Sequence, residues 1–297
     1  MGHKSKKSLV RQVQETLQAK LFPGDSKHID KQTPGVTDGK IYSYNTFRTY
    51  LNVGAKFAAY CKEQHGCKNI ADCRQYVNEY LNHRSTYCSP YTTKLDASAI
   101  AKLYGESSTN FVQTRSRVRS EVTRSRGAKE MDKHFSETKN AELVSFLKST
   151  GLRRSEAACV RGSDIRPCSD SPCGLGIRVR ASGAKGGRER IAPLYCPQEV
   201  AAQIVHRCSE AGNNKLFDHI HTKLDVHALR AVYAETVYFQ NARPLDTLLY
   251  PEKYYCRNDM KGVVLDRQAM QITSHALGHN RIQVTTHYLH SLQSPSN

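Results

Sequence analysis

The sequence predicts a mainly α-helical chain in two folded parts, an all-helical domain followed by an α+β domain with a small antiparallel β-sheet. Three observations carry this. Apolar residues recur at helical spacing between Tyr44 and Gly105. A hydrophilic, arginine-rich stretch over 113–135 interrupts the pattern. A glycine-rich turn over 181–187 then joins two short apolar runs inside an otherwise helical C-terminal half.

Residues 1–40 read as a basic N-terminal arm, with one helix over 9–21 and then the breakers Pro23-Gly24, Pro34-Gly35 and Asp38-Gly39. Residues 41–112 read as a compact all-helical domain. Phe47, Tyr50, Leu51, Gly54, Phe57, Ala58 and Cys61 line one helix, and Ile70, Cys73, Tyr76, Val77, Tyr80 and Leu81 line a second. A third opens at Ser89-Pro90, a cap followed by proline at the first helical position, and runs to Gly105. Residues 113–135 read as a basic linker. Its Arg115, Arg117, Arg119, Arg124 and Arg126 are candidate DNA contacts, because a planar guanidinium meets a phosphate with paired donors.

The second domain is expected over 136–297. A helix with Leu143, Val144 and Leu147 ends at Thr150-Gly151. Strands over 176–180 and 188–194 form a hairpin with Lys185 at its tip, and Arg188, Glu189 and Arg190 read as exposed strand charges. A helix over 197–211 follows, then one from Asp225 that places His227 and Arg230 on one face. Residues 241–266, with Pro244 and Pro251, show no clear period and read as an irregular insertion. Two short helices close the pattern, one bearing Ile272, Ala276 and Leu277 and stopping at Gly278, the other bearing Ile282, Val284 and Tyr288.

Composition narrows the function. A formal net charge of +17 spread over folded sequence is the footprint of a polyanionic partner, with nucleic acid first. No apolar run approaches a membrane span, and the opening residues lack the apolar core of a signal peptide. Lys6 stands where a myristoylation signal needs Ser or Thr. The ten cysteines include no matched pair of zinc-ligand spacings and read as plain thiols. No metal site and no cofactor is expected.

The residues that stand out are Arg153, Lys185, His227, Arg230, His279 and Tyr288. Singly, each has an ordinary structural explanation. Together, Thr150-Gly-Leu-Arg-x-Ser-Glu156, Ala184-Lys-Gly-Gly-Arg-Glu-Arg190, His227-x-x-Arg230, Leu277-Gly-His279 and Tyr288 stand in order, and they resemble the signature of the tyrosine recombinases, the phage-integrase family. The resemblance covers about residues 138–290. The helical domain before it is similar to the family's SAM-like core-binding domain in architecture alone, and residues 1–40 are not covered.

The resemblance implies a site-specific DNA recombinase, an integrase of a mobile element, that cuts and rejoins DNA through a 3′-phosphotyrosyl intermediate and a Holliday junction. Tyr288 would be the nucleophile. Arg153 and Arg230 would hold the non-bridging phosphate oxygens, Lys185 would protonate the leaving 5′ oxygen, His227 would assist proton transfer at the nucleophile, and His279 would hydrogen-bond the phosphate. It implies double-stranded DNA as partner, a homotetramer on that DNA, accessory DNA-bending or excision factors, and a cytoplasmic location, nucleoid-associated in a bacterium or encoded by a phage or mobile element. The interval from Arg230 to His279 is longer than compact members have. A type IB topoisomerase-like activity and a non-catalytic DNA-binding protein are the alternatives. A third, a metal-dependent nuclease using His219-Ile-His221, lacks a matching tyrosine helix.

Overall fold

In the structure, a computed structural model that describes residues 7–116, 135–184, 187–257 and 260–289, α1 (Leu9–Gln18) starts at a serine cap, with Ser8 Oγ accepting the Arg11 N–H at 3.3 Å. Leu9, Val13 and Leu17 form its buried stripe and pack against α4 (Tyr44–His65). The approach is close because α4 has a glycine there: a Cβ on Gly54 would stand 2.6 Å from Val13 Cγ1. Residues 1–40 were expected as an arm apart from the helical domain. The structure differs over the span of α1, whose apolar stripe is part of the domain's core. The physical reason is that three apolar residues at four-residue spacing are stable only when covered.

The one-turn helices α2 (Lys27–Asp30) and α3 (Val36–Gly39) lead to Ile41, which is buried and donates its N–H to Lys20 O at 2.6 Å. α4 stops at Gly66, whose φ of +62° provides the left-handed cap. A 3-10 turn, Asp72–Tyr76, passes into α5 (Val77–Ser85), and α6 (Pro90–Tyr104) begins after the Ser89 cap. Phe57, Cys61, Cys73, Val77, Leu81 and Ile100 complete this core. These elements belong to the first of two compact units, Met1–Glu121 and Val122–Asn297.

The second unit opens with α7 (Ala141–Thr150) and the single turn α8 (Arg154–Ala157). A three-stranded antiparallel sheet follows, ordered β1 (Ile165–Pro167), β2 (Leu175–Val179), β3 (Arg190–Pro193), with Val179 opposite Arg190. Strand β1 is too short to announce itself by alternation. Helices α9 (Gln198–Ala211), α10 (Val226–Asn241) and α11 (Arg267–Ala276) complete the unit. Its core gathers Leu147, Leu152, Ile177 and Leu194, and Tyr233 of α10 is fully buried with its hydroxyl donating to Pro193 O at 2.8 Å.

The stretch expected to be an irregular insertion carries regular structure in its described residues. Its described residues include 3-10 turns at Leu245–Thr247 and Tyr250–Glu252 and an antiparallel pair, β4 (Lys253–Tyr255) with β5 (Val264–Asp266). A buried carboxylate holds it in place. Asp266 accepts from Arg243 Nε and Nη2, both at 2.9 Å, and caps α11 through the Gln268 N–H at 2.8 Å. All ten cysteines are free thiols. Among the described residues no helix is long and apolar enough to cross a membrane.

Candidate active site

Five of the six residues singled out from the sequence belong to described parts of the second unit, and four local devices set them. The first is the end of α7. Gly151 takes a φ of +58°, which lets the chain turn into α8. A side chain there would collide with the Tyr233 ring. Arg153 then caps α8, with its N–H donating to Glu156 Oε2 at 2.8 Å and its Nη1 donating to Oε1 at 2.7 Å.

The second device is the Asp225 cap of α10, whose Oδ1 accepts the Ala228 N–H at 3.0 Å. It starts the helix so that His227 lies in the first turn and Arg230 in the next. His227 is exposed, whereas Arg230 is 1% exposed. Buried guanidinium must be hydrogen-bonded. Arg230 donates Nη1 to Gly151 O, and Nη2 to Leu277 O at 2.6 Å and to His279 Nε2 at 3.2 Å. It therefore joins the end of α7 to the end of α11. Burial and repulsion by Arg153 pull it down to about 10, so it remains a cation near neutral pH.

The third device ends α11. Gly278 takes a φ of +67°, and the His279 N–H closes back on Ser274 O at 2.8 Å. Burial, then the Arg230, Arg153 and Arg190 guanidiniums, push the His279 imidazole down to about 3. The ring is therefore neutral. Arg230 can only donate, so Nε2 accepts and the proton sits on Nδ1. That Nδ1 is buried and has no partner among the described residues, and the same holds for Arg230 Nε. Two neighbouring side chains thus each keep one unsatisfied buried donor, at a cost of about 1–3 kcal/mol apiece.

The fourth device is Leu289. It is fully buried among Tyr238, Cys256, Met260, Leu265 and Met270, under the β4–β5 pair. This anchor fixes the neighbouring Tyr288, which follows the 3-10 segment Ile282–His287 and is half-buried. The Tyr288 ring lies 5.3 Å from the Arg230 guanidinium carbon. Its centroid is 5.4 Å from that of His279 and 6.2 Å from that of His227. Tyr288, Arg230, His279 and His227 thus form one cluster. Arg153 is joined to it electrostatically.

One residue of this region differs from the expectation its sequence raises. Arg190 was expected as an exposed strand charge, but its side chain is 16% exposed and both its Nη atoms donate to Glu156 at 3.1 Å. Burial raises the Glu156 carboxyl, yet Arg190 and Arg153 outweigh it and bring the group down to about 2. Arg153, Arg190 and Arg230 against one carboxylate leave the site strongly positive. The signal for Arg190 was the alternation of β3: it faces the same side as Ala192.

Lys185 lies outside the described residues, as do Arg117, Arg119, Arg124 and Arg126. Beside Lys185 the turn is tied to α8, where Ser155 Oγ donates to Gly183 O at 3.1 Å. Arg115 is exposed in the first unit. His219 and His221 lie between α9 and α10 outside any strand, and among the described residues no cluster of His, Cys, Asp and Glu fits a metal ion. Among other tyrosines of this unit, Tyr233 and Tyr238 are core, and Tyr255 is exposed. Two surface cavities of the second unit, of about 710 and 450 Å³, are lined by other residues, mainly from α7 and α9.

No protein-family model matches the sequence, and no curated protein matches it. Among solved structures the chain is similar to the XerH site-specific recombinase bound to palindromic difH substrate in a post-cleavage complex, at 14% identity and a TM-score of 0.53, over 97% of this chain and 95% of that one. It is likewise similar to XerH bound to difH substrate in a pre-cleavage complex, at 12% identity and a TM-score of 0.50, over 95% and 92% of the two chains. A likeness that spans nearly both chains at so low an identity is one of fold. This chain has the fold of the tyrosine recombinases.

Proposed function

We propose that this chain is a site-specific DNA recombinase that breaks and reseals DNA through a covalent bond to Tyr288. One observation carries the reading. The Tyr288 ring is held against a buried guanidinium, Arg230, and a neutral imidazole, His279, each with an unpartnered buried donor. A phosphodiester needs such a place, because attack at phosphorus gathers negative charge on the non-bridging oxygens. The similar XerH structures hold difH substrate, which supports DNA as the partner.

In the proposed reaction the Tyr288 oxygen attacks the scissile phosphorus and loses its proton to His227. The bond to the 5′ oxygen breaks, and Lys185 gives that oxygen its proton. The products are a 3′-phosphotyrosyl link and a free 5′-hydroxyl. Arg153 and Arg230 hold the non-bridging oxygens, and His279 donates from Nδ1. A 5′-hydroxyl from a second duplex reverses the same steps, so a Holliday junction forms with no external energy source. A homotetramer on DNA supplies the paired active sites, and phosphate contacts by Arg115 and the basic stretch after it add salt-dependent affinity. Integration of a mobile element is the task we assign. Its support is the basic charge of the chain, since α1 belongs to the helical core.

The test uses nicked duplexes that trap covalent intermediates, tiled across the DNA flanking the protein's own reading frame. Wild type should give a protein–DNA adduct at a 3′ phosphate, and Tyr288→Phe should give none. An adduct that persists in Tyr288→Phe would move the nucleophile elsewhere. Binding without any adduct would favour a non-catalytic DNA-binding protein, and relaxation of supercoils without exchange would favour the topoisomerase reading.

A further inference from the structure

Arg190 has no role in the proposed reaction, yet its contacts reach both halves of the site. Its Nη1 and Nη2 grip the two oxygens of Glu156, each at 3.1 Å. The same two oxygens take the Arg153 Nη1 and N–H. Four donors on two oxygens saturate the carboxylate, so Glu156 has no lone pair left for proton transfer and serves as a fixed hub. On its other side Arg190 packs against the turn that carries His279. A Cβ on Gly278 would stand 2.6 Å from Arg190 Nε and 2.7 Å from its Cδ. The Arg190 Nε is buried and unpartnered among the described residues, so the side chain is held by this fork and by contact with the turn.

We propose that Arg190 is a positioning residue for strand cleavage: through Glu156 it aims the Arg153 guanidinium, and through Gly278 it sets the place of the His279 imidazole. This rests on the strand-transfer reading. A guanidinium is required because an ammonium cannot meet both carboxylate oxygens in one plane. Groups that orient reactive side chains at metal sites are worth about 10- to 100-fold in activity, and a comparable loss is expected here.

The experiment compares wild type, Tyr288→Phe and Arg190→Lys as full chains, on the nicked duplex that gives the wild-type adduct. The readouts are the single-turnover rate of strand cleavage, DNA affinity and the thermal midpoint. Each protein is then assayed on the same duplex with a methylphosphonate at the scissile position, which removes one charged non-bridging oxygen and with it much of the need to aim Arg153. Arg190→Lys should cleave the normal diester about 10- to 100-fold more slowly, bind DNA within about threefold of wild type, and recover to within about threefold on the methylphosphonate. Equal losses on both substrates would make Arg190 a structural residue and overturn the proposal. So would a rate within about threefold of wild type on the normal diester. Wild type that gives no adduct beyond Tyr288→Phe would overturn the strand-transfer reading and this proposal together, and the wild-type lane separates that outcome from the others.

Discussion

Gly278 and Arg190 are in such close contact that no side chain fits between them: a Cβ on Gly278 would stand 2.6 Å from Arg190 Nε. The glycine also takes a φ of +67°. Gly278→Ala should therefore cost about 1–2 kcal/mol for the left-handed backbone, and more for displacing a guanidinium that Glu156 holds in place. Thermal melting should show the loss, and strand cleavage should fall with it. A variant with the wild-type midpoint would mean that the turn and Arg190 yield easily.

Arg153 and Arg230 should separate when each is removed. The Arg153 side chain is 23% exposed, and its partner Glu156 keeps the Arg190 fork, so Arg153→Ala should abolish cleavage while leaving DNA binding largely intact. Arg230 joins Gly151 O to Leu277 O from a buried position. Arg230→Ala should also lose stability, by about 1–3 kcal/mol for each carbonyl left unsatisfied. Urea denaturation of the two variants distinguishes them. Equal midpoints would remove the structural role assigned to Arg230.

Stability should fall as the solution is acidified, in two stages. His279 is held at about 3 against an ordinary value of 6.5, so between these values the unfolded chain binds a proton that the folded one refuses. Glu156 is brought from 4.5 to about 2. Its contribution is complete above 4.5 and is lost as the pH falls toward 2. The urea midpoint should decline from about pH 6.5 downward. His279→Asn should flatten the upper part of the slope, and Glu156→Gln the lower part. An unchanged upper slope in His279→Asn would show that the imidazole is not held neutral by the fold.

Deleting residues 1–40 should unfold the helical unit rather than remove an optional arm. The deletion strips Leu9, Val13 and Leu17 from the core and uncovers Gly54 of α4. Val13→Ala is the milder check, with an expected loss of about 1–3 kcal/mol from one buried side chain. If the truncated chain melted like the full one and lost affinity only for extended DNA sites, the separate-arm expectation would be restored.

The sequence by itself determined most of the longer helices, several of their caps and the order of the candidate residues, because these are local matters; the terminal segment read as a helix bearing Tyr288 is a 3-10 segment that ends at His287. Ser8 and Ser89 before apolar stripes, and Gly66, Gly105, Gly151 and Gly278 after them, set boundaries through contacts within a few residues. The spacing of His227 and Arg230 placed them on one helical face for the same reason. Tertiary structure alone decided three things. It made α1 part of a core, since an apolar stripe states that it must be covered and not by what. It tied the two ends of the 243–266 stretch together, because the Arg243–Asp266 pair closes across a distance in sequence that no periodic pattern spans. It turned Arg190 inward. Whether an arginine on a strand meets water or a buried carboxylate depends on the segment that packs beside it, and Glu156 is supplied by a helix 34 residues earlier in the chain.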